Sequence, residues 1–399
     1  MGHRRYAGGG AENTLSRAIP VYDLVVVGAG IHGAGVAQAA AVKGYSVLVL
    51  EKREAAALET SSASSKLIHG GLRYLETAQF RLVYECLREQ RLLLRNAPHL
   101  VRRQPFYIPV YSSSQRHPWW IYLGLNCYRL LAGWHKDSAV QSIPPEQWPQ
   151  LGLRPENLRA LFRYSDAQTD DRQLTCAVLQ SAEKFGAQVR FNCAIVQAQK
   201  SDIYQLQLSD GSNVHCRSIV NAAGPWANNV ADVLSVPQQP VDWVQGTHVV
   251  LDQPSFSGCF YVEAPQDKRA VFVLPWKGKT LVGTTEVLLD TPNAAPSQTE
   301  IDYLLTAYNH YFPQHPQAPQ NIHKVFAGVR VLPKEHRNPN KRSRETIFVR
   351  NSDKTYVGIY GGKLTSYRAT AEKVVASLIP VLGNTTSAAV STADVVLSP

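Results

Sequence analysis

YDLVVVGAGIHGAG, residues 22 to 35, decides the fold. Its first half is a short Leu/Val run of the kind buried on both faces of a parallel sheet, and its second half turns on glycines into a helical stretch, IHGAGVAQAAAVKG. Gly28, Gly30 and Gly33 match GxGxxG between strand and helix. Such glycines permit a tight turn, close approach of backbone N–H groups to a pyrophosphate, and close packing of the helix, whose N-terminus favours the negative charge. YSVLVLE (45–51) supplies a second strand, and Glu51, eighteen residues after Gly33, stands where an acid accepts both ribose hydroxyls. The unit predicts dinucleotide binding without separating NAD from FAD.

Later glycine turns favour FAD. NAAGPWA (221–227, with Gly224) and YGGKLTSYR (360–368, with Gly361 and Gly362) again place a strand, a glycine turn and a helix in succession. Cofactor elements therefore lie at both ends of the chain, whereas a nicotinamide domain would be continuous and early. A helix N-terminus behind the second turn suits the negative charge of a reduced flavin. Between them, residues 236–290 are rich in Val, Thr and Phe with Pro/Gly punctuation, the mark of a separate sheet. A helix over 80–94 is read from Phe80, Val83, Leu87 and Leu94 on one face. The expected fold is α/β: a doubly wound, Rossmann-like FAD-binding domain (21–100, 160–235 and 325–385) with an inserted antiparallel-sheet substrate domain (101–159 and 236–324). Residues 1–20 and 386–399 read as tails.

With 399 residues, 44% of them hydrophobic, the chain has material for two or three domains, and a formal charge of +10 favours an anionic partner. Six scattered cysteines form no CxxC or Cys/His cluster, so neither a metal site nor a disulfide framework is indicated, and a reducing compartment is expected. The first twenty residues lack the apolar stretch of a secretory signal, and no run of 18 apolar residues exists. PWWIYLGLNCYRLLAGWHK (118–136) has two readings: a helix buried under a loop layer, which is preferred, or an interfacial membrane-contact helix. The expected location is the cytoplasm, with a peripheral seat on the cytoplasmic face of an anionic membrane under the second reading.

The order GAGIHGAG, SSASSKLIHGGLRYLE, NAPHL, NAAGPW, GTHVVL, DKRAVFVLPW, GTTEV, AGVRVL and GGKLTSYR resembles the FAD-dependent glycerol-3-phosphate dehydrogenases, within the wider D-amino-acid-oxidase-like flavoproteins, over about residues 22 to 380. The resemblance implies oxidation of sn-glycerol 3-phosphate to dihydroxyacetone phosphate by hydride transfer to flavin N5, with electrons passed to a quinone. It implies that Arg330 (of GVR) and Arg269 (of DKR) hold the phosphate as planar forks. Arg73 and Tyr74 would border the substrate. Lys363, Leu364 and Thr365 would contact flavin or substrate, and Ser61, Ser62, Ser65 and Lys66 would serve the FAD phosphates. His69, Gly70 and Gly71 would pass close to the isoalloxazine. The base that takes the substrate hydroxyl proton is His248 or His69, with His248 preferred.

The sequence departs from that family in two places. Val331 stands where a proline usually follows GVR, and PKEHRNPNKRSRETIF (333–348) sets Lys334, Arg337, Lys341, Arg342 and Arg344 against Glu335, a basic loop. Members of full size continue into a C-terminal helical domain that this chain is expected to lack. Two competing readings remain: the same fold oxidising a 2-hydroxy acid or amine with oxygen as acceptor, and a catalytically reduced flavoprotein binding membrane or nucleic acid through its basic surface. No nucleic-acid-reading motif supports the latter, and a homodimer is left open.

Overall fold

The protein is described as a computed structural model over residues 19–134, 138–253, 256–334, 345–385 and 390–398. Most of the basic loop, with Glu335, Arg337, Lys341, Arg342 and Arg344, lies outside the described residues. The described helices are α1 (Ile31–Val42), α2 (Phe80–Asn96), α3 (Pro118–Leu131), α4 (Asp171–Lys184), α5 (Ala227–Leu234), α6 (Gln298–Tyr311) and α7 (Tyr367–Leu382).

The first sheet has the order Ile347–Arg350, Tyr356–Tyr360, Asn213–Asn221, Val21–Val27, Val47–Leu50, Gln188–Arg190. All neighbours from Tyr356–Tyr360 onward run parallel. Alternation along the first strand explains its double burial. Leu24 and Val26 pack with α1, α4 and α7 on one face, while Val25 and Val27 pack with Tyr204, Leu206 and Leu234 on the other. α1 is so rich in Ala and Gly that α4 and α7 approach it closely, and 11 of its 12 residues are buried.

The second sheet has ten strands. It is antiparallel except where Cys259–Glu263 runs parallel to Val101–Tyr111. α6 covers one face through Leu304, Leu305 and Tyr308, and α2 and α3 cover the other through Val83, Leu87, Leu125 and Tyr128. The expected cuts at 159/160 and 324/325 fall inside strands of this sheet, Leu158–Thr169 and Ile322–Pro333. Leu67–Ile68 also belongs to it, so the segment after the first βαβ unit crosses from one sheet to the other.

Two helix expectations are corrected. Phe80, at the first position of α2, is exposed, and the buried stripe is instead Val83, Cys86, Leu87, Gln90 and Leu93. In α3 only Leu125 and Tyr128 are buried; Trp119, Trp120, Tyr122, Leu123 and Leu130 are each about half exposed or more, as is Trp134 beyond its end. Among the described residues no loop layer covers it. No helix among the described residues is long and apolar enough to cross a membrane.

Candidate active site

Between the sheets lies a cavity of about 560 Å³, within the size range of cofactor sites. On the first-sheet side its wall includes Gly28, Gly30, Glu51, Ser61 and Gly224. Gly28 has φ +100°, and a Cβ there would lie 2.8 Å from the Ala222 carbonyl oxygen; a Cβ on Gly33 would lie 1.8 Å from the Gly28 oxygen. Side chains are thus excluded where a pyrophosphate needs the backbone, and Gly33 serves the turn from outside the cavity wall. Glu51 accepts from Ala29 N–H at 2.7 Å, and Ser61 Oγ accepts from Ile31 N–H at 2.9 Å. Lys52 adds a cation 3.4 Å over the Trp226 ring.

The C-terminal turn completes the enclosure with Gly361, Gly362, Lys363, Leu364 and Thr365. Thr365 Oγ1 lies between the backbone of His69, 3.2 Å from its N–H and 3.3 Å from its carbonyl oxygen. Lys363 Nζ sits 3.6 Å over the Tyr74 ring. His32, which the fingerprint treats as a spacer, also faces this turn; burial pushes its imidazole down to about 4, against a backbone hydrogen bond to Gly361.

On the second-sheet side, the wall holds Ser65, His69, Tyr74, His248 and Arg330. His248 and Arg330 stand on paired strands, Val241–Leu251 and Ile322–Pro333. His248 is buried, stacks on Phe326 at 5.0 Å, and places Nε2 2.9 Å from Ser65 Oγ. Burial above all, then the charges of Lys66 and Arg330, push its imidazole down to about 3. Arg330 donates to Thr285 O at 3.3 Å and lies 3.8 Å from Glu286.

Several expected residues stand outside this wall. Arg269 pairs with the nearly buried Glu286 at 2.8 Å, on the same carboxylate that Arg330 approaches. The two forks therefore do not converge on the cavity; Arg269 stands behind Arg330. Lys66 points to the opposite side of its segment, because an ammonium removed from water needs a paired anion. Its Nζ donates to Asp171 at 2.7 Å and to Ser62 O at 2.5 Å. Ser62 Oγ donates to Glu59 O at 3.0 Å, closing its own turn. Gly70 N–H donates to Tyr128 Oη at 2.6 Å, Gly71 makes the next turn, and Arg73 lies away from the cavity.

Sequence reading missed the groups that hold these in place. Asp166 accepts from Tyr128 at 2.9 Å and from Gln90 at 2.5 Å, and Gln90 also donates to Ile68 O at 2.6 Å. Burial outweighs those hydrogen bonds and pushes Asp166 up to about 7. Glu300 accepts from Thr247 and Thr285, the neighbours of His248 and Glu286, at 2.7 and 2.6 Å. Hydrophobic pattern gives no signal for either acid.

The glycine cradle, the ribose-side acid and the turn closing from the far end of the chain fit FAD, and with the neutral histidine they define a flavin-dependent oxidoreductase. The chain matches the family described as FAD dependent oxidoreductase over residues 23–375 and belongs to it. It is 36% identical to the glycerol-3-phosphate dehydrogenase of Pseudomonas aeruginosa over 378 residues, covering 91% of this chain and 73% of that one. It is 35% identical to the D-erythritol 1-phosphate dehydrogenase of Brucella abortus over 367 residues, covering 88% and 72%. The crystal structure of the glycerol-3-phosphate dehydrogenase from Bacillus halodurans complexed with FAD superposes with a TM-score of 0.73 at 26% identity, over 94% of this chain and 68% of that one.

Proposed function

We propose that the protein oxidises the secondary alcohol of glycerol 3-phosphate to the ketone, dihydroxyacetone phosphate, and passes the electrons to a quinone. The carrying observation is that a neutral histidine and an arginine fork, His248 and Arg330, share the second-sheet wall of a cavity whose first-sheet wall suits FAD. Bound FAD supplies the two-electron acceptor for the hydride leaving C2. His248 takes the hydroxyl proton, its free base form being secured by burial. Arg330 binds the phosphate, with Lys363 as a further cation facing the cavity. Arg269 acts through Glu286, so phosphate selection no longer rests on two convergent arginines.

The Brucella relative supports a second reading in which the substrate is a longer polyol phosphate, D-erythritol 1-phosphate. Anaerobic titration of the FAD-loaded protein decides between them. Glycerol 3-phosphate should bleach the flavin at lower concentration than D-erythritol 1-phosphate, and glycerol should be inert. Bleaching by a 2-hydroxy acid or an amine, with none by either phosphate, would sink both readings.

For the acceptor, the exposed face of α3 supports a peripheral membrane seat. Trp119 and Trp120 stack at 4.0 Å on that face, Arg129 lies 4.4 Å from the Trp134 ring, and Arg81 and Arg88 on the neighbouring α2 are exposed. Aromatics with basic flanks suit the headgroup depth of an anionic bilayer.

A further inference from the structure

We infer that Ser65 is a positioning residue for His248 rather than a ligand of the FAD phosphates, an inference that rests on His248 being the base. The contact is Ser65 Oγ to His248 Nε2, 2.9 Å, between residues 183 positions apart in sequence. Among the described residues the ring is otherwise held by its faces. Phe326 stacks on one side with planes 11° apart, and Gly283 lies so near that a Cβ there would sit 2.1 Å from His248 Cδ2. Flat contacts fix the plane of an imidazole but do not distinguish its two edges; a hydrogen bond to one nitrogen does. Nδ1 is buried without a hydrogen-bond partner among the described residues, so Ser65 supplies the distinguishing contact. A hydroxyl suits this task because it both donates and accepts, and so serves Nε2 whether that atom carries a lone pair or a proton.

The turn that carries Ser65 is built to hold it there. Asp171, fully buried at the start of α4, accepts from Ser64 N–H at 2.9 Å, Ser64 Oγ–H at 2.6 Å and Lys66 Nζ at 2.7 Å. Lys66 itself adopts φ +61°, a left-handed conformation costly for a side-chain-bearing residue, and hydrogen bonds from its N–H to Ser64 Oγ (3.1 Å) and to its carbonyl from Thr169 N–H (2.9 Å) maintain it. The residues on both sides of Ser65 are thus tied to Asp171, and of the three only Ser65 hydrogen bonds to the histidine.

The test is a double-mutant cycle on the FAD-loaded protein, Ser65→Ala and His248→Ala singly and together, read by anaerobic flavin reduction with glycerol 3-phosphate. Loss of orientation should slow the limiting rate in Ser65→Ala by about 10- to 100-fold, with substrate Kd within about threefold and FAD content unchanged. Adding Ser65→Ala to His248→Ala should slow reduction no further. A wild-type rate in Ser65→Ala, independent multiplication of the two losses, or loss of FAD from Ser65→Ala overturns the inference. A second measurement does not depend on the substrate: 15N spectra of the histidine rings in the FAD-loaded protein without substrate. Ser65→Ala should move the His248 signals and leave those of His69 in place, and unchanged His248 signals overturn the inference. If wild-type flavin is not reduced by glycerol 3-phosphate, the functional reading fails, and the ring spectra still decide whether Ser65 holds His248.

Discussion

Arg330→Ala is the sharpest perturbation of the proposed phosphate contact, because the structure separates its binding role from its structural one. The Arg330 side chain is 28% exposed, and its hydrogen bond to Thr285 O is long at 3.3 Å. Glu286, 3.8 Å from Arg330, remains paired with Arg269 at 2.8 Å when Arg330 is removed, so that carboxylate is not stranded. A charge-assisted hydrogen bond is worth about 1.5–3 kcal/mol, and a partly exposed fork making two of them is discounted to about 2–3 kcal/mol in total. That corresponds to a rise in substrate Kd of roughly 30- to 150-fold. Arg330→Lys keeps a point charge without the planar fork and should lie between, at about tenfold. Stopped-flow anaerobic reduction gives Kd from the concentration dependence and the chemical rate from its plateau; the plateau should fall less than Kd rises. A Kd within about threefold of wild type, or loss of flavin on purification, refutes the assignment.

Four further outcomes are expected. His248→Ala should lower the plateau rate by about 10²- to 10⁴-fold, and a larger loss in His69→Ala would transfer the role of base to His69. Because burial holds His248 near 3, only its base form is present through neutral pH, and the rate should stay flat as pH falls through 6.5; an acid limb there would contradict the burial argument. Asp166 has the opposite sign: raised from 3.8 to about 7, it keeps a proton in the fold that the unfolded chain has lost. Stability should therefore fall between about pH 4 and 7 by ~4 kcal/mol relative to Asp166→Asn, measured by denaturant unfolding, and parallel pH curves would exclude the effect. Trp119→Ala with Trp120→Ala should weaken binding to anionic phospholipid vesicles by roughly 10- to 100-fold, while equal binding by variant and wild type would remove α3 as the contact.

The nucleotide half of the fold was legible because its signals are local: an apolar run, glycines at fixed spacing and an acid at the end of the next strand. The two long strands Val101–Tyr111 and Leu158–Thr169 were not. Pro105 and Pro109 interrupt the first, and a proline argues against a strand interior because it cannot donate to the ladder. Here the structure accommodates both opposite Ser165 and Leu161. Lys66 misled for a related reason. Its place among four serines suggested phosphates, yet its partner, Asp171, lies 105 residues away and no spacing announces it. Arg269 read as a second fork because nothing local marks Glu286 as its counter-ion. α3 was ambiguous because it is apolar on both faces, and composition does not say which face has a protein partner.

The crowding of residues 60–74 follows from their crossing between the two sheets. Such a crossing must satisfy its polar groups on the way, and four anchors do so: Asp171 at Ser64 N–H and Lys66 Nζ, Gln90 at Ile68, Thr365 at His69, and Tyr128 at Gly70. Gln90 and Tyr128 meet at Asp166, so α2, α3 and the second sheet share one buried acid beneath the cavity wall. α3 thereby presents Trp119 and Trp120 outward while its Tyr128 holds Gly70 inward. α3 is therefore fixed by one side to the segment that walls the cavity and exposed on the other, and the exposed side is the one on which the proposed membrane seat rests.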